Sequence, residues 1–358
     1  MNKPTSPKRD LYQEVTDKIV AILEAGTAGN WTRPWTLMAE RGMPRNGASG
    51  RQYSGINVLL LFLENEARGF SDCRHMTFKQ ASEAGYKVRK GAKSLPVYFF
   101  KKIEIEERDE QTGDATKKSI PFLTEYRVFN VQDIQGFEAD KIQPPTWQPL
   151  AFVEEMVKRL GVNIEHGNGD RASYIEATDT IQLPMPGAFT SREAMAATIA
   201  HECAHSTLHP KRMNRRQLSA SVQRKIDPSL VVAREELIAE LSSAFYSAET
   251  GLTLTSSLDN HAAYVGSWLK VLKNDKHEIF RAASEASKVV SYMMGRSEEG
   301  PDVAEGTSDQ ATTSPANVVA IKVAEPKKRR PLREAMTSGS AKRLGAQPMG
   351  WEGFSASS

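Results

Sequence analysis

Apolar and polar positions divide the chain into a series of helical and strand-like runs. Leu11, Val15, Ile19, Ile22 and Leu23 recur at helical spacing and predict a helix over residues 11–25, ended by residues 26–30. Residues 56–67 predict a second helix stopped by Gly69, and residues 76–84 a short third. After a glycine turn, residues 95–100 alternate as a strand, and residues 124–131 predict another. Between them the hydrophilic insert 104–118, with Thr112-Gly113-Asp114 at its centre, predicts a protruding hairpin or loop. The Pro-rich run DKIQPPTWQP over residues 140–149 marks a domain boundary. Beyond it come an amphipathic helix at 152–160, a hairpin at 172–183 turning near Thr178-Asp179, and a buried helix at 194–208. A long helix at 230–246 follows, then one or two more in 260–290 with Tyr264, Val265, Trp268, Leu269 and Leu272 as a packing face. From residue 296 the chain turns polar, and a disordered basic tail is expected. The pattern reads as α+β, with domains over residues 1–142 and 150–295 and the tail over 296–358.

Composition narrows the class. With 39% hydrophobic and 25% charged residues, the chain reads as soluble and globular. No apolar run approaches the ~18 residues of a membrane span, and the polar start MNKPTSPKRD is unlike a signal peptide. A cytoplasmic location is therefore expected, and two cysteines, Cys73 and Cys203, are too few for a disulfide framework. Charge is unevenly placed: residues 40–102 hold twelve Lys or Arg against five acidic residues, a net +7, while the whole chain is only +3. These cations are interleaved with Trp31, Trp35, Tyr53, Phe78, Tyr86, Tyr98 and Phe99, a mixture that suits single-stranded nucleic acid. A solvated basic face over an ordinary aromatic core has the same composition, so composition alone does not separate the two.

The stretch AMAATIAHECAHSTL over residues 194–208 carries the sharpest chemistry. His201 and His205 lie one helical turn apart, so both imidazoles leave one face and can meet a single ion. Zinc accepts imidazole nitrogens and keeps a position for water, and manganese is the alternative. Glu202 is the candidate general base, placed to take a proton from that water. Thr190 or Ser191 offers the N-cap, and Pro210 limits the far end. A third ligand is expected from LVVAREELIAELSSAFY, where Glu236 and Glu240 share a face; helical spacing alone does not order them. The pair resembles that of gluzincin-type metallopeptidases, and that resemblance implies Glu236 as ligand and Glu240 as its support. Glu235 points about 100° away and is expected to be solvated. Cys203 is expected to pack, His209 to cap or lie at the surface, and His166 to be exposed in its turn. His261 and Tyr264 could polarise a carbonyl, although structural roles are favoured. The six basic residues of 211–225 suit either a nucleic-acid surface or a solvated loop, and KKRRPLR at 327–333 could touch nucleic acid or serve as an export signal.

Several motifs occur in an order that resembles the ArdC antirestriction proteins of conjugative plasmids and the related N-terminal part of TraC-type primases. They are Asn30-Trp31, Pro34-Trp35, PRNGASGRQYSGINVLLL from Pro44, MTFKQASEAGYKVRKGAK from Met76, HECAHS, REELIAEL and HAAYVGSWLKVLKND from His261. The resemblance implies an N-terminal domain that binds single-stranded DNA and a zincin-like metallopeptidase domain after it. It also implies protection of incoming plasmid DNA from host restriction, and it allows transfer into the recipient with that DNA. Candidate DNA contacts are Trp31, Trp35, Arg45, Arg51, Tyr53, Asn57, Lys79, Arg89, Lys90 and Lys93. The partners would be single-stranded DNA and, for the peptidase, a host restriction component or another protein. His75 departs from a position where such proteins often carry Trp. The alternatives are a DNA-shielding protein whose metal site is structural or dormant, and a primase-associated accessory protein.

Overall fold

The computed structural model describes residues 9–26, 34–108, 115–138, 149–167, 169–215, 228–254 and 261–296. The expectations for Trp31, for residues 139–148 of the Pro-rich run, and for the tail beyond 296 lie outside these residues.

Helix α1 (Leu11–Gly26) buries Val15, Ile19, Val20 and Leu23, the stripe its spacing predicts. After α2 (Met38–Arg41) and the short strand β1 (Arg45–Asn46), α3 (Ile56–Arg68) runs through the middle of the core. Val58, Leu59, Leu61 and Phe62 are all at most 1% exposed, so α3 is covered on several sides. It ends on Gly69, whose left-handed backbone, φ 70°, turns the chain away while its N–H bonds back to Glu66.

Strand β2 (Arg74–Met76), helix α4 (Phe78–Glu83) and strand β3 (Lys87–Val88) lead into the long strands β4 (Leu95–Arg108) and β5 (Ala115–Asn130). The last two pair antiparallel from Leu95 opposite Val128 to Arg108 opposite Ala115, so the hydrophilic insert continues the hairpin. The resulting sheet has the order β1-β2-β5-β4, and β3 pairs separately with β6 (Ile134–Gln135). A small second core of Met76, Ala81, Val131 and Ile134 lies under this region, flanked by Tyr86, Val88, Phe129 and Phe137.

The second half opens with α5 (Pro149–Leu160) and a three-stranded sheet of β7 (Asn163–His166), β8 (Ser173–Ile175) and β9 (Thr180–Leu183). Its order is β7-β9-β8, which leaves β8 at an edge. Helices α6 (Arg192–Ser206), α7 (Pro228–Thr250), α8 (His261–Asn274) and α9 (Glu278–Met293) follow. The halves share one hydrophobic cluster that runs from Val15 to Met293. Tyr12 on α1 meets Phe280 on α9 edge-on at 4.8 Å, and the Thr16 hydroxyl donates to the Lys276 carbonyl at 2.7 Å. Gly55, at the start of α3, donates its N–H to Ser287 Oγ on α9 at 2.8 Å. Among the described residues, no helix is long and apolar enough to cross a membrane.

Asn57 corrects one expectation. It is 3% exposed, and its amide joins α3 to β4 by accepting from Tyr98 N–H at 2.7 Å and donating to Tyr98 C=O at 2.8 Å. Both partners are backbone groups that need satisfaction wherever they are buried, so this side chain is committed to the interior and presents no face to DNA. Asn57→Ala leaves both unmade and is expected to cost about 2–4 kcal/mol of unfolding free energy. Denaturant unfolding checks this; a loss under ~0.5 kcal/mol would show that the pair does not support the fold.

Candidate metal centre and nucleic-acid face

Helix α6 starts where Ser191 Oγ accepts the Ala194 N–H at 3.0 Å, a cap that sets the phase of the whole helix. Ala194, Ala200 and Ala204 are fully buried, as are Ala239 and Ala244 of α7, and small side chains let the two helices approach closely. His201 and His205 leave α6 on one face with ring centroids 4.9 Å apart and planes at 79°. His201 Nε2 lies 3.7 Å from Glu236 Oε2, and His205 Nε2 lies 3.7 Å from Glu236 Oε1. One ligand atom from each of the three residues falls within 4.8 Å of the others. Ligand atoms of a tetrahedral zinc site stand about 3.3 Å apart, given bonds near 2.0–2.1 Å. The three residues therefore fit a divalent ion after small inward movements.

A carboxylate stands on the far side of each ring, hydrogen-bonded at His205 and at ion-pair distance from His201. His205 Nδ1 lies 3.2 Å from Glu235 Oε1, and His201 Nδ1 lies 3.9 Å from Glu240 Oε2. A carboxylate behind each imidazole orients the ring and raises its basicity as a ligand. Glu235 thus departs from the solvated position expected of it. Spacing along one helix describes only that helix, and Glu235 is met by Arg215, which donates to Oε1 at 2.7 Å and Oε2 at 2.9 Å. Arg215 also donates to Ala204 C=O at 3.0 Å and to Thr207 Oγ1 at 2.7 Å, closing the C-terminal end of α6. Glu240 is fully buried, and Oε1 accepts the indole N–H of Trp35 at 2.8 Å.

Charge within the cluster favours a cation. Burial opposes protonation of His205, but Glu236 and Glu235 outweigh it and hold the imidazole well above its ordinary range. Burial works against ionisation of Glu236, and the two imidazoles reverse this, keeping its carboxyl far below the usual range. A divalent ion in place of that proton meets the same field. Glu202, directly after His201, is 7% exposed. Burial raises the Tyr264 phenol, with Glu236 and Glu202 adding to the shift, so its hydroxyl shares the field of these carboxylates. The His261 side chain lies outside the described set.

Of the basic run 211–225, residues up to 215 are described, and two of its arginines turn inward. Arg212 is paired with Asp179 and donates to Ser206 C=O at 2.7 Å, Leu160 C=O at 3.0 Å and Tyr174 Oη at 3.1 Å. It ties the ends of α5 and α6 to the β8–β9 hairpin, whose turn residue Asp179 sits at φ 53°. Neither Arg212 nor Arg215 is available to nucleic acid or solvent as the sequence suggested; buried carboxylates and helix-end carbonyls claim both. His209 Nδ1 accepts the Lys211 N–H at 3.1 Å, a turn-closing role. His166 is exposed, and Cys203 is fully buried with its thiol raised by burial.

Six candidate cations, Arg45, Arg51, Lys79, Arg89, Lys90 and Lys93, are exposed. The loop carrying Arg45 and Arg51 is joined to α4 by Asn46 Nδ2 donating to Gln80 Oε1 at 3.1 Å. Gly47 in that loop packs on the small second core, where an added Cβ would lie 3.0 Å from Met76 Cγ. Two aromatic candidates need correction: Trp35 is 2% and Tyr53 5% exposed, so neither offers a face to a base. His75 is also buried, lying between Cys73 C=O and Asn65 Oδ1, and burial lowers it to about 4. Phe78 is instead 63% exposed and precedes Lys79 on α4.

Residues 9–129 match the family described as the N-terminal domain of anti-restriction factor ArdC, and residues 151–285 match that described as zincin-like metallopeptidase. The crystal structure of the antirestriction ArdC protein from R388 plasmid in its metal-free state is 36% identical, with a TM-score of 0.65 over 80% of this chain and 97% of that one. Its Mn(II)-bound structure gives 34% identity and a TM-score of 0.63, over 80% and 98% of the two chains. The uncharacterized protein y4eC of Sinorhizobium fredii (strain NBRC 101917 / NGR234) is 32% identical over 81% of this chain and 93% of its own length. A DNA primase TraC of Escherichia coli is 36% identical over 85% of this chain but 29% of the primase, so the chain spans less than a third of that relative. A zincin-like domain implies a divalent metal, and the chain belongs to the ArdC family of antirestriction proteins.

Proposed function

We propose that this protein binds single-stranded DNA and protects incoming conjugative plasmid DNA from host restriction, with a metallopeptidase site as part of that action. His201, His205 and Glu236 hold the metal, zinc or manganese, and Glu202 is the general base. The observation that carries the peptidase site is the pair of Nε2 atoms facing the two oxygens of Glu236, with a carboxylate on the Nδ1 side of each ring. In this reading the protein acts in the bacterial cytoplasm, and a host restriction component or another DNA-engaged protein is cleaved.

A bound divalent ion polarises the scissile carbonyl and makes water acidic enough to attack near neutral pH. The remaining work falls to the chain. Glu202 Oε, directly after His201 on α6, takes the water proton and returns it to the leaving amine nitrogen. The exposed edge of β8 offers backbone groups on which an extended peptide can lie as an added strand. Nucleic acid is engaged on the other half, where Arg45, Arg51, Lys79, Arg89, Lys90 and Lys93 meet phosphates and Phe78 stacks on a base. A narrower alternative, DNA shielding alone with a structural metal, draws on the same exposed cations. A primase-associated role draws on the TraC likeness over 29% of that protein.

Glu202→Gln separates the first two readings, because it removes the base and keeps the shape. It is expected to bind single-stranded DNA with wild-type affinity and to fail to protect plasmid DNA entering a restricting recipient. Protection equal to wild type would reduce the function to shielding. For the DNA face, Phe78→Ala is expected to weaken single-strand affinity by about 1–3 kcal/mol with little change in salt dependence. Replacing Arg89, Lys90 and Lys93 together by Ala is expected to weaken binding and lower the salt slope by about 2. Titrations at several salt concentrations measure both; unchanged affinity in both variants would place the DNA surface elsewhere.

A further inference from the structure

The metal cluster belongs to the second half of the chain, yet one of its contacts comes from the first. Trp35 precedes α2, and its indole N–H donates at 2.8 Å to Glu240 Oε1. Both residues are interior, at 2% and 0% exposure. The other oxygen of Glu240 lies 3.9 Å from His201 Nδ1, on the opposite side of the ring from Glu236. A carboxylate without solvent needs donors to stay ionised, and a fixed N–H also fixes its plane.

The surroundings make this contact rigid. The Trp35 ring lies 6.3 Å from that of Trp268 on α8, which is fully buried. Helix α2 packs on α7, with Met38 fully buried. Farther along the same segment, Gln52 Nε2 donates to Glu249 Oε2 on α7 at 3.1 Å. The segment carrying Arg45 and Arg51 is therefore seated on the helix that supplies Glu235, Glu236 and Glu240.

We infer that Trp35 is a positioning residue of the metal site: its N–H fixes Glu240, which in turn holds the His201 ring in its metal-facing orientation. The N-terminal half completes the centre, and the zincin-like half alone lacks one part of it. This rests on the reading of His201, His205 and Glu236 as metal ligands. It requires nothing of peptidase activity, so metal affinity tests it directly.

The test titrates metal-free, full-length protein with Zn²⁺ against a competing chelator, and with Mn²⁺ directly. The variants are Trp35→Phe, Glu240→Gln, the double variant and Met38→Ala. Trp35→Phe keeps an aromatic ring and removes the donor, and it is expected to weaken affinity about 10-fold or more. Glu240→Gln is expected to weaken it as well, and the double variant no further than Glu240→Gln alone, since both changes act through one contact. Met38→Ala destabilises the same segment without touching the polar link, and its affinity is expected to stay within about twofold of wild type, with a lower metal-free melting temperature. Wild-type affinity in Trp35→Phe, or an equal loss in Met38→Ala, would overturn the inference while leaving the metal site intact. A wild type that takes up neither ion would overturn both.

Discussion

Three carboxylates within six positions of α7, Glu235, Glu236 and Glu240, place negative charge where an interior tolerates it only with partners. Each finds a different one. Glu235 is clamped by Arg215 and meets His205, Glu236 faces both Nε2 atoms, and Glu240 accepts from Trp35 on the His201 side. Much of the surrounding architecture follows from these pairings. The alanine faces of α6 and α7 bring the imidazoles within reach, and Arg215 locks the end of α6 to α7. Arg212 then fixes the β8–β9 hairpin to that same helix end. What remains at the centre is an excess of carboxylate around two imidazoles, which is a setting for a cation.

This arrangement gives the N-terminal half two different sides. Its outer side carries exposed cations with Phe78 among them. Its inner side, through Tyr12, Thr16, Trp35 and Gly55, is built into one core with the zincin-like half. The exposed basic face and the histidine-carboxylate cluster are thereby supported by the same packed helices.

The histidine pair was legible in the sequence because four residues make about one helical turn and two ring nitrogens need one face. The order of Glu236 and Glu240 was not, since that spacing puts both on the same side; only the position of α6 distinguishes them. Glu235 was misjudged for a related reason: an angle about its own axis takes no account of Arg215 arriving from the segment that follows α6. Arg212 and Arg215 looked like solvated charges because composition does not reveal the buried carboxylates they answer. Trp35, Tyr53 and Phe78 were alike as aromatics in a basic stretch. Their fates differ because the first two pack beneath residues distant in sequence, while Phe78 starts a short capped helix whose buried contact is Ala81. The β4–β5 ribbon was legible only in part, because a hydrophilic pair of strands has no single apolar face to announce it.

Metal stoichiometry tests the central claim most directly. Wild type, Glu202→Gln and Glu236→Ala, each stripped and reloaded with zinc or manganese, would be compared by elemental analysis after removal of free ions. The account predicts one ion per chain in wild type and in Glu202→Gln, and a large loss in Glu236→Ala. Full occupancy in Glu236→Ala together with loss in Glu202→Gln would contradict it, exchanging the roles assigned to ligand and base.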